Sequence, residues 1–395
     1  MVCTVYDLTL AGLVIGLAAL AQDPQSATGR LRPEPTTPAS HGRWEPISAV
    51  GVPSPRVAST AVFTRIDGTD QLIVWGGQDA VQLPFARTGG RWKRGADAWS
   101  AMSVAGAPPG RARSQALWTG HEVLIWGGDD GMLFLDSGAC YDPLDDRWST
   151  MTKVNAPTPR WAHAAVWTGE RMLVWGGSVS FFYTTNTGGL FDPCANAWTT
   201  MSQVGAPTPR HSATAVWTGN RMLVWGGFSS GGGSLGDGGS YDPATDTWSS
   251  MSGVNAPSPR GFHGASWDGS HMLVWGGLDM VGALGDGKVY EAATDTWTDM
   301  SPWSAPSARL MATATYSGVE TLIWGGSDSA GKPLGTGAAY DRAEDKWTEL
   351  ATNGAPSERY GHVAAWDGAR MIIWGGQGAG INAWRSDGFA YTPGR

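Results

Sequence analysis

The chain has 395 residues, 42% of them hydrophobic, with 57 Gly, 23 Trp and a formal net charge of −8. Mild acidity without any basic run argues against nucleic acid or an anionic membrane surface as a partner. A chain this long exceeds the usual single core unless each added unit brings its own packed layer, and the excess of Gly and Trp belongs to such a unit.

At the N-terminus, Leu8 to Ala21 is apolar and ends Ala19-Leu20-Ala21 before Gln22. That stretch is too short to span a bilayer, and its small-residue ending has the form of a signal-peptidase site, although Met1 to Asp7 contains no Lys or Arg. Residues 1–21 are therefore expected to be a signal peptide, with an uncleaved anchor or a plain disordered tail as the alternatives, and the protein to be secreted or periplasmic. Residues 22–43, with Pro24, Pro33, Pro35 and Pro38, read as a stiff, solvated linker.

From residue 44 to the end the chain repeats itself. Trp-Gly-Gly recurs at Trp75, Trp126, Trp175, Trp225, Trp275, Trp324 and Trp374, at intervals of 49 to 51 residues. A fixed period of this size marks an array of supersecondary units, none able to bury its own faces. Each unit opens on Arg (Arg56, Arg111, Arg160, Arg210, Arg260, Arg309, Arg359), and the spacing predicts four strands, a to d. Strand a runs from that Arg to an aromatic seven positions on, and a Gly-containing turn such as Thr168-Gly169 follows. Strand b is apolar on both faces, as in Met172 to Trp175, which is the pattern of a strand sandwiched between neighbouring sheets. Gly-Gly ends it where a positive φ or a close neighbour excludes a side chain. Strand c carries an aromatic three residues after a Gly, as in Gly238 and Tyr241, and turns through Asp-Pro into strand d with its own Trp. The seventh unit stops before strand d. Trp44 to Ser48, leading into Gly51-Val-Pro-Ser-Pro-Arg56, has the same grammar as Trp99 to Arg111, so the N-terminal strand is expected to complete the last blade.

An apolar strand ending in Gly-Gly, then a spaced aromatic and a Trp, resembles the kelch repeat, and seven registered copies cover residues 44 to 393. The resemblance implies an all-β fold: a seven-bladed kelch β-propeller with four antiparallel strands per blade, closed by the N-terminal strand, over residues 44–395. Kelch propellers host both enzymes and binding modules. The architecture is similar to that of galactose oxidase, whose copper site implies Tyr and His with a Tyr crosslinked to Cys; here the adjacent Cys140 and Tyr141 lie in strand c on the blade body, and the sequence shows no Tyr-His pair. The repeated Ser-x-Asp-x-Gly of sialidases is also missing. Neither metal nor cofactor is expected. The preferred expectation is a secreted, non-catalytic recognition propeller whose partner is an extracellular glycan or a protein or peptide. A kelch-type carbohydrate-active enzyme, a sugar mutarotase or epimerase ahead of an oxidase, is the alternative.

Several residues invite chemistry. Counting from each Arg, position five is Ala and position seven aromatic in every unit, and odd positions share one strand face. His163, His263 and His362 stand at position three, so they are expected to point between blades and not to form a metal triad. The seven Arg are expected to tie strands together structurally, with Asp79, Asp130, Asp279 and Asp328 as cross-strand partners. Cys140 and Cys194 are out of register for a disulfide, so two free thiols are expected. The b to c loops, which emerge on the same side as the d to a loops, alone vary in composition. Phe134, Phe181, Phe182, Tyr183 and Phe228 load these loops in three consecutive units, beside Asp129 and Asp130, with Trp161 and His211 bordering the sector. These nine residues are the candidate ligand site: aromatics to stack on a sugar or anchor a peptide, carboxylates to accept hydrogen bonds. The alternative is that the aromatics cap their own loops.

Overall fold

Seven four-stranded antiparallel sheets arranged in a ring form a β-propeller in a computed structural model that describes residues 41–79 and 85–394. The signal segment expected over 1–21, and the linker expected over 22–43 apart from its last three residues, lie outside the described residues. Blade 3 is representative: Ala164–Trp167, Met172–Trp175, Gly188–Asp192 and Ala197–Thr200 pair in that order. Blade 7 is completed from the other end of the chain. Arg43–Pro46 pairs with Gly388–Thr392, setting Trp44 opposite Tyr391 as Trp148 is set opposite Tyr141 in blade 2.

Strand a is shorter than the sequence pattern predicts. It begins at position four, because position two is left-handed in all seven blades: Ala58, Arg113, Ala162, Ser212, Phe262 and Met311 have φ between 51° and 55°, and Gly361 has 61°. A positive φ turns the chain out of the extended conformation, so the Arg and position one form a separate segment above the sheet.

The core lies between blades, in seven apolar clusters. Strand b supplies both sides of it. Met222 and Val224 pack towards blade 3, while Leu223 and Trp225 pack towards blade 5. Ala215 and Trp217 also face blade 3, meeting Val166 and Leu173 there. The position-seven aromatic therefore shares its interface with the Ala of its own blade, and does not cover the Ala of the neighbour. Each Trp of the Trp-Gly-Gly phrase packs at a tilt against the strand d Trp of the next blade, with centroids 4.5 to 5.7 Å apart, from Trp75 on Trp148 round to Trp324 on Trp44 and Trp374 on Trp99. Aromatic pairs of this kind contribute about 0.5–1.5 kcal/mol beyond their burial.

Polar clasps lock the same interfaces. The indole of Trp148 donates to the Ser103 carbonyl at 2.8 Å, and the Ser103 amide donates to Asp146 at 2.9 Å. At the closing interface Trp44 donates to the Ala351 carbonyl at 2.8 Å, and the His41 carbonyl replaces the carboxylate, accepting from the Ala351 amide at 3.0 Å and from the Tyr391 hydroxyl. The second Gly of each Trp-Gly-Gly donates its amide to the opening Arg carbonyl of the next blade, including Gly376 to Arg56 at 2.9 Å across the closure. At Gly177, φ is 99° and a Cβ would stand 2.9 Å from the Trp161 carbonyl, so no side chain fits.

Candidate functional site

The two ends of the propeller differ in character. Sixteen large apolar side chains are exposed among the described residues: Leu144 and Val319 in turns at one end, six in the d to a connections at the rim, and eight in the b to c loops at the other end. That face also carries the channel mouth. After Gly-Gly, each chain pairs back on position one, as Ser178 does with Trp161, and then on a residue returning towards strand c, as Ser178 does with Thr184. Inside this layer the left-handed residues at position two join hands. The Ala58 amide donates to the Gly361 carbonyl, Arg113 to Ala58, Ser212 to Ala162, Phe262 to Ser212 and Met311 to Phe262, at 2.9 to 3.4 Å.

The seven Arg are not exposed at this mouth. Each is at most 1% accessible and serves the backbone. Arg160 donates to the carbonyls of Thr158, Gly176 and Thr187 and to the hydroxyls of Thr158 and Thr187, at 2.8 to 2.9 Å. The structural tie expected from sequence is present: Arg56 stands opposite Asp79 across the strands as expected, and the guanidinium bonds themselves go largely to backbone carbonyls and hydroxyls. In three blades an acid does approach, but it is Asp237, Asp286 or Asp387, one residue before the strand c Gly. In the other blades a Thr or Ser hydroxyl stands there, as Thr187 does. Burial lowers the pKa of Arg56, Arg111, Arg160 and Arg309 to about 10, which leaves them charged at neutral pH. His163, His263 and His362 lie between blades as expected, each edge-on to the Trp of the preceding blade at 5.2 to 5.3 Å, and burial lowers their pKa to about 3. Cys140 and Cys194 are free, and burial pushes the Cys140 thiol up to about 12.

Five of the nine candidate residues form a continuous aromatic arc across blades 2 to 4. Phe134 meets Phe181 at 5.3 Å and Trp161 at 6.2 Å; Trp161 stacks on His211 at 6.1 Å, and His211 meets Phe228 at 5.7 Å. Phe228 is buried and supports His211 without presenting a surface. Burial lowers the His211 pKa to about 4, so its imidazole is neutral at physiological pH, and its Nδ1 meets the Ser212 hydroxyl at 2.9 Å. Phe182 and Tyr183 stand at the loop tip, 77% and 68% exposed, with Phe181 beside them at 59%. The two carboxylates are already engaged. Asp129 is buried and takes a two-pronged bond from Arg113, Nε at 2.9 Å and Nη2 at 2.8 Å. Asp130 closes its own loop by accepting the amides of Met132 and Leu133.

Arg113 was not visible as a site residue in the sequence, nor were Phe85 and Phe262, which extend the arc at its two ends. The Arg113 guanidinium lies 5.0 Å over the Trp161 ring and 5.7 Å over Phe85, and Phe262 meets Phe228 at 5.4 Å. A signal did exist: at position two the other blades carry Ala, Ala, Ser, Phe, Met and Gly, so a charge in that register departs from the repeat. Met132 and Leu133, 77% and 68% exposed, precede Phe134 in the same blade 2 loop, and Phe134 makes the contact with Phe181. On the opposite face, between blades 5 and 6, a polar cleft of about 150 Å³ is lined by Asp268, His271, Tyr316 and Arg342 among others. Its central carboxylate is saturated by Arg342 at 2.5 Å and by two turn amides.

No protein-family model matches the chain, and no curated protein matches it in sequence. Inference about its role therefore rests on the geometry of the propeller.

Proposed function

We propose that this seven-bladed β-propeller is a secreted recognition module of kelch type that binds an extracellular glycan or protein ligand, without transforming it, on the face built from the b to c and d to a loops. The observation that carries this reading is the exposed ridge of Met132, Leu133, Phe181, Phe182 and Tyr183. Such a ridge costs solubility and serves no interface of the ring, and contiguous exposed apolar surface of that kind is the mark of an interaction site. The ridge is held rigid from below: Phe181 rests on Phe134, and Phe134 on Trp161. Rigid support keeps the entropy loss on binding small. Export is proposed from the form of residues 1–21, with 22–43 as linker and 44–395 as propeller, and kelch identity from the seven registered units.

The test is a glycan and peptide array probed with the chain from residue 22 onward, then with Phe182→Ser/Tyr183→Ser. Array ligands of the parent protein are expected to be lost at least tenfold in affinity while the melting temperature stays within about 1 °C, because neither side chain packs in a blade interface. Unchanged binding by the double variant places recognition elsewhere.

A further inference from the structure

Six of the seven blade interfaces are sealed in the same way beside the a to b turn. The position-seven aromatic lies opposite an aliphatic residue or Met of strand b, as Trp217 lies opposite Met222 and Trp366 opposite Met371, and it packs on the interblade cluster. In blade 6 the pair is Tyr316 and Thr321. Both are smaller and more polar than the Trp and Met of the repeat, and Tyr316 alone of the seven aromatics takes no part in an interblade cluster. Where they stand, a cleft of about 150 Å³ opens between blades 5 and 6. A gap in an interface costs stability, and the repeat supplies the residues that would fill it, so its retention points to a role outside the ring. The Arg342 to Asp268 pair at 2.5 Å does not account for it. Arg94 crosses to Asp367 between blades 7 and 1 in the same manner, at 3.6 Å, and there Phe63 and Leu72 fill the interface.

We infer that this cleft is a second ligand site, separate from the recognition face, and that it takes a small organic cation, a primary or quaternary ammonium. A space of that size suits a molecule about as large as benzene, and not a peptide or an oligosaccharide. Its floor is apolar, formed by the buried Leu273 and Val289, and Tyr316 and Asp341 also line it. An aromatic ring beside a carboxylate is the combination that holds an ammonium group. Asp341 gives Oδ1 to the amides of Ala343 and Glu344, which leaves Oδ2 for a ligand. Charge selects the sign. Asp268 and Asp341 line the cleft, Glu291 stands 4.0 Å from His271 Nε2, and only Arg342 and His271 oppose these three carboxylates among the lining residues. The acids outnumber the cations in either form of the imidazole, and Arg342 is already committed to Asp268. A ligand carboxylate would face Asp341 and lose its hydration without return, whereas an ammonium meets an acceptor and a ring.

Isothermal titration calorimetry on the chain from residue 22 onward, with choline, n-butylammonium, butyrate and methyl glucoside as probes, tests the inference. The parent protein is expected to bind at least one of the two cations, and the anion and the sugar at least about tenfold more weakly. Tyr316→Trp/Thr321→Met restores the pair that other blades carry, and is expected to raise the melting temperature while weakening cation binding at least about tenfold. Overpacking would show as a lower melting temperature, so Asp341→Asn is the second arm. It keeps the oxygen that closes the turn, removes the charge, and is expected to weaken cation binding about tenfold. Binding of neither cation at millimolar concentration, or binding of butyrate or methyl glucoside as tight as that of the cations, overturns the inference. So does unchanged cation affinity in Asp341→Asn, or in the filled variant when its melting temperature has risen. Phe182→Ser/Tyr183→Ser is expected to leave cation binding as it is, and loss of binding there overturns the assignment to a separate site.

Discussion

Each blade opens on an Arg that has become part of the backbone. Five charge-assisted bonds from Arg160 satisfy carbonyls and hydroxyls that the turn above the sheet leaves without ladder partners. Arg160→Met is expected to destabilise the protein by about 3 kcal/mol, and Arg160→Lys to recover little, because one ammonium cannot reach acceptors arranged around a planar fork. Urea denaturation measures both. The interblade His make a second residue-level prediction. Their folded pKa values, about 3, lie below the ordinary value of 6.5, so the unfolded chain binds more protons in between. Stability therefore rises with pH across that window and is lost as pH falls from about 6.5 towards 3, by about 1.4 kcal/mol per pH unit for each His at the limit. The urea midpoint is expected to drop between pH 7 and pH 4, and the triple change of His163, His263 and His362 to Gln to flatten that slope. An unchanged slope in the triple variant assigns the acid sensitivity to other groups.

Among the elements, the N-terminal strand carries the most weight for its length. Four residues, Arg43–Pro46, supply strand d of blade 7, and Trp44 there bonds and stacks into blade 6. Without them Gly388–Thr392 becomes an open edge, and open edges pair with other chains. Truncation to residue 41 is expected to leave the melting transition where it is. Truncation to residue 51 is expected to lower it by many degrees or to yield aggregate, and equal melting of the two truncations removes this strand from the closure.

At the scale of the whole molecule, a ring of equivalent interfaces has no privileged starting point. The two ends of the described chain meet in blade 7, where a Cβ on Gly394 would lie 3.0 Å from the Gly42 amide. A short linker joining residues 394 and 41 therefore stands in for a c to d turn. A permutant of this kind that begins at Asn196 and ends at Pro193 keeps the arrangement of one strand d from the N-terminus and three strands from the C-terminus. It is expected to be monomeric and to unfold within about 1 kcal/mol of the parent, as sized by gel filtration and urea titration. Aggregation of the permutant shows that blade 7 is a special seam. The other whole-molecule property is an asymmetry of loops: among the described residues, eight of the sixteen exposed large apolar side chains lie in b to c loops and only Leu144 and Val319 in the turns at the opposite end. On the recognition role proposed above, that asymmetry favours the b to c loops over the cleft of Asp268.

The sequence by itself determined the blade count, the four strands of each blade, the closure by Trp44 and the interblade burial of His163, His263 and His362. All of these follow from periodicity: a residue that recurs every 50 positions has the same neighbours every time, and strand alternation says which face it shares. Tertiary structure alone decided what depends on the turn conformations between the strands. The left-handed residue at position two shortens strand a and swings the Arg under the backbone, so Arg160 finds the carbonyls of Gly176 and Thr187. The same turn aims Arg113 at Asp129 and lays it over Trp161 from the next blade. Those contacts join singular residues, 16 and 48 positions apart, and periodicity is silent about a residue that occurs once. Side-chain direction at a positive φ is set by the fold around it, which is why the ridge was legible in the sequence as composition and its supporting arc only as geometry.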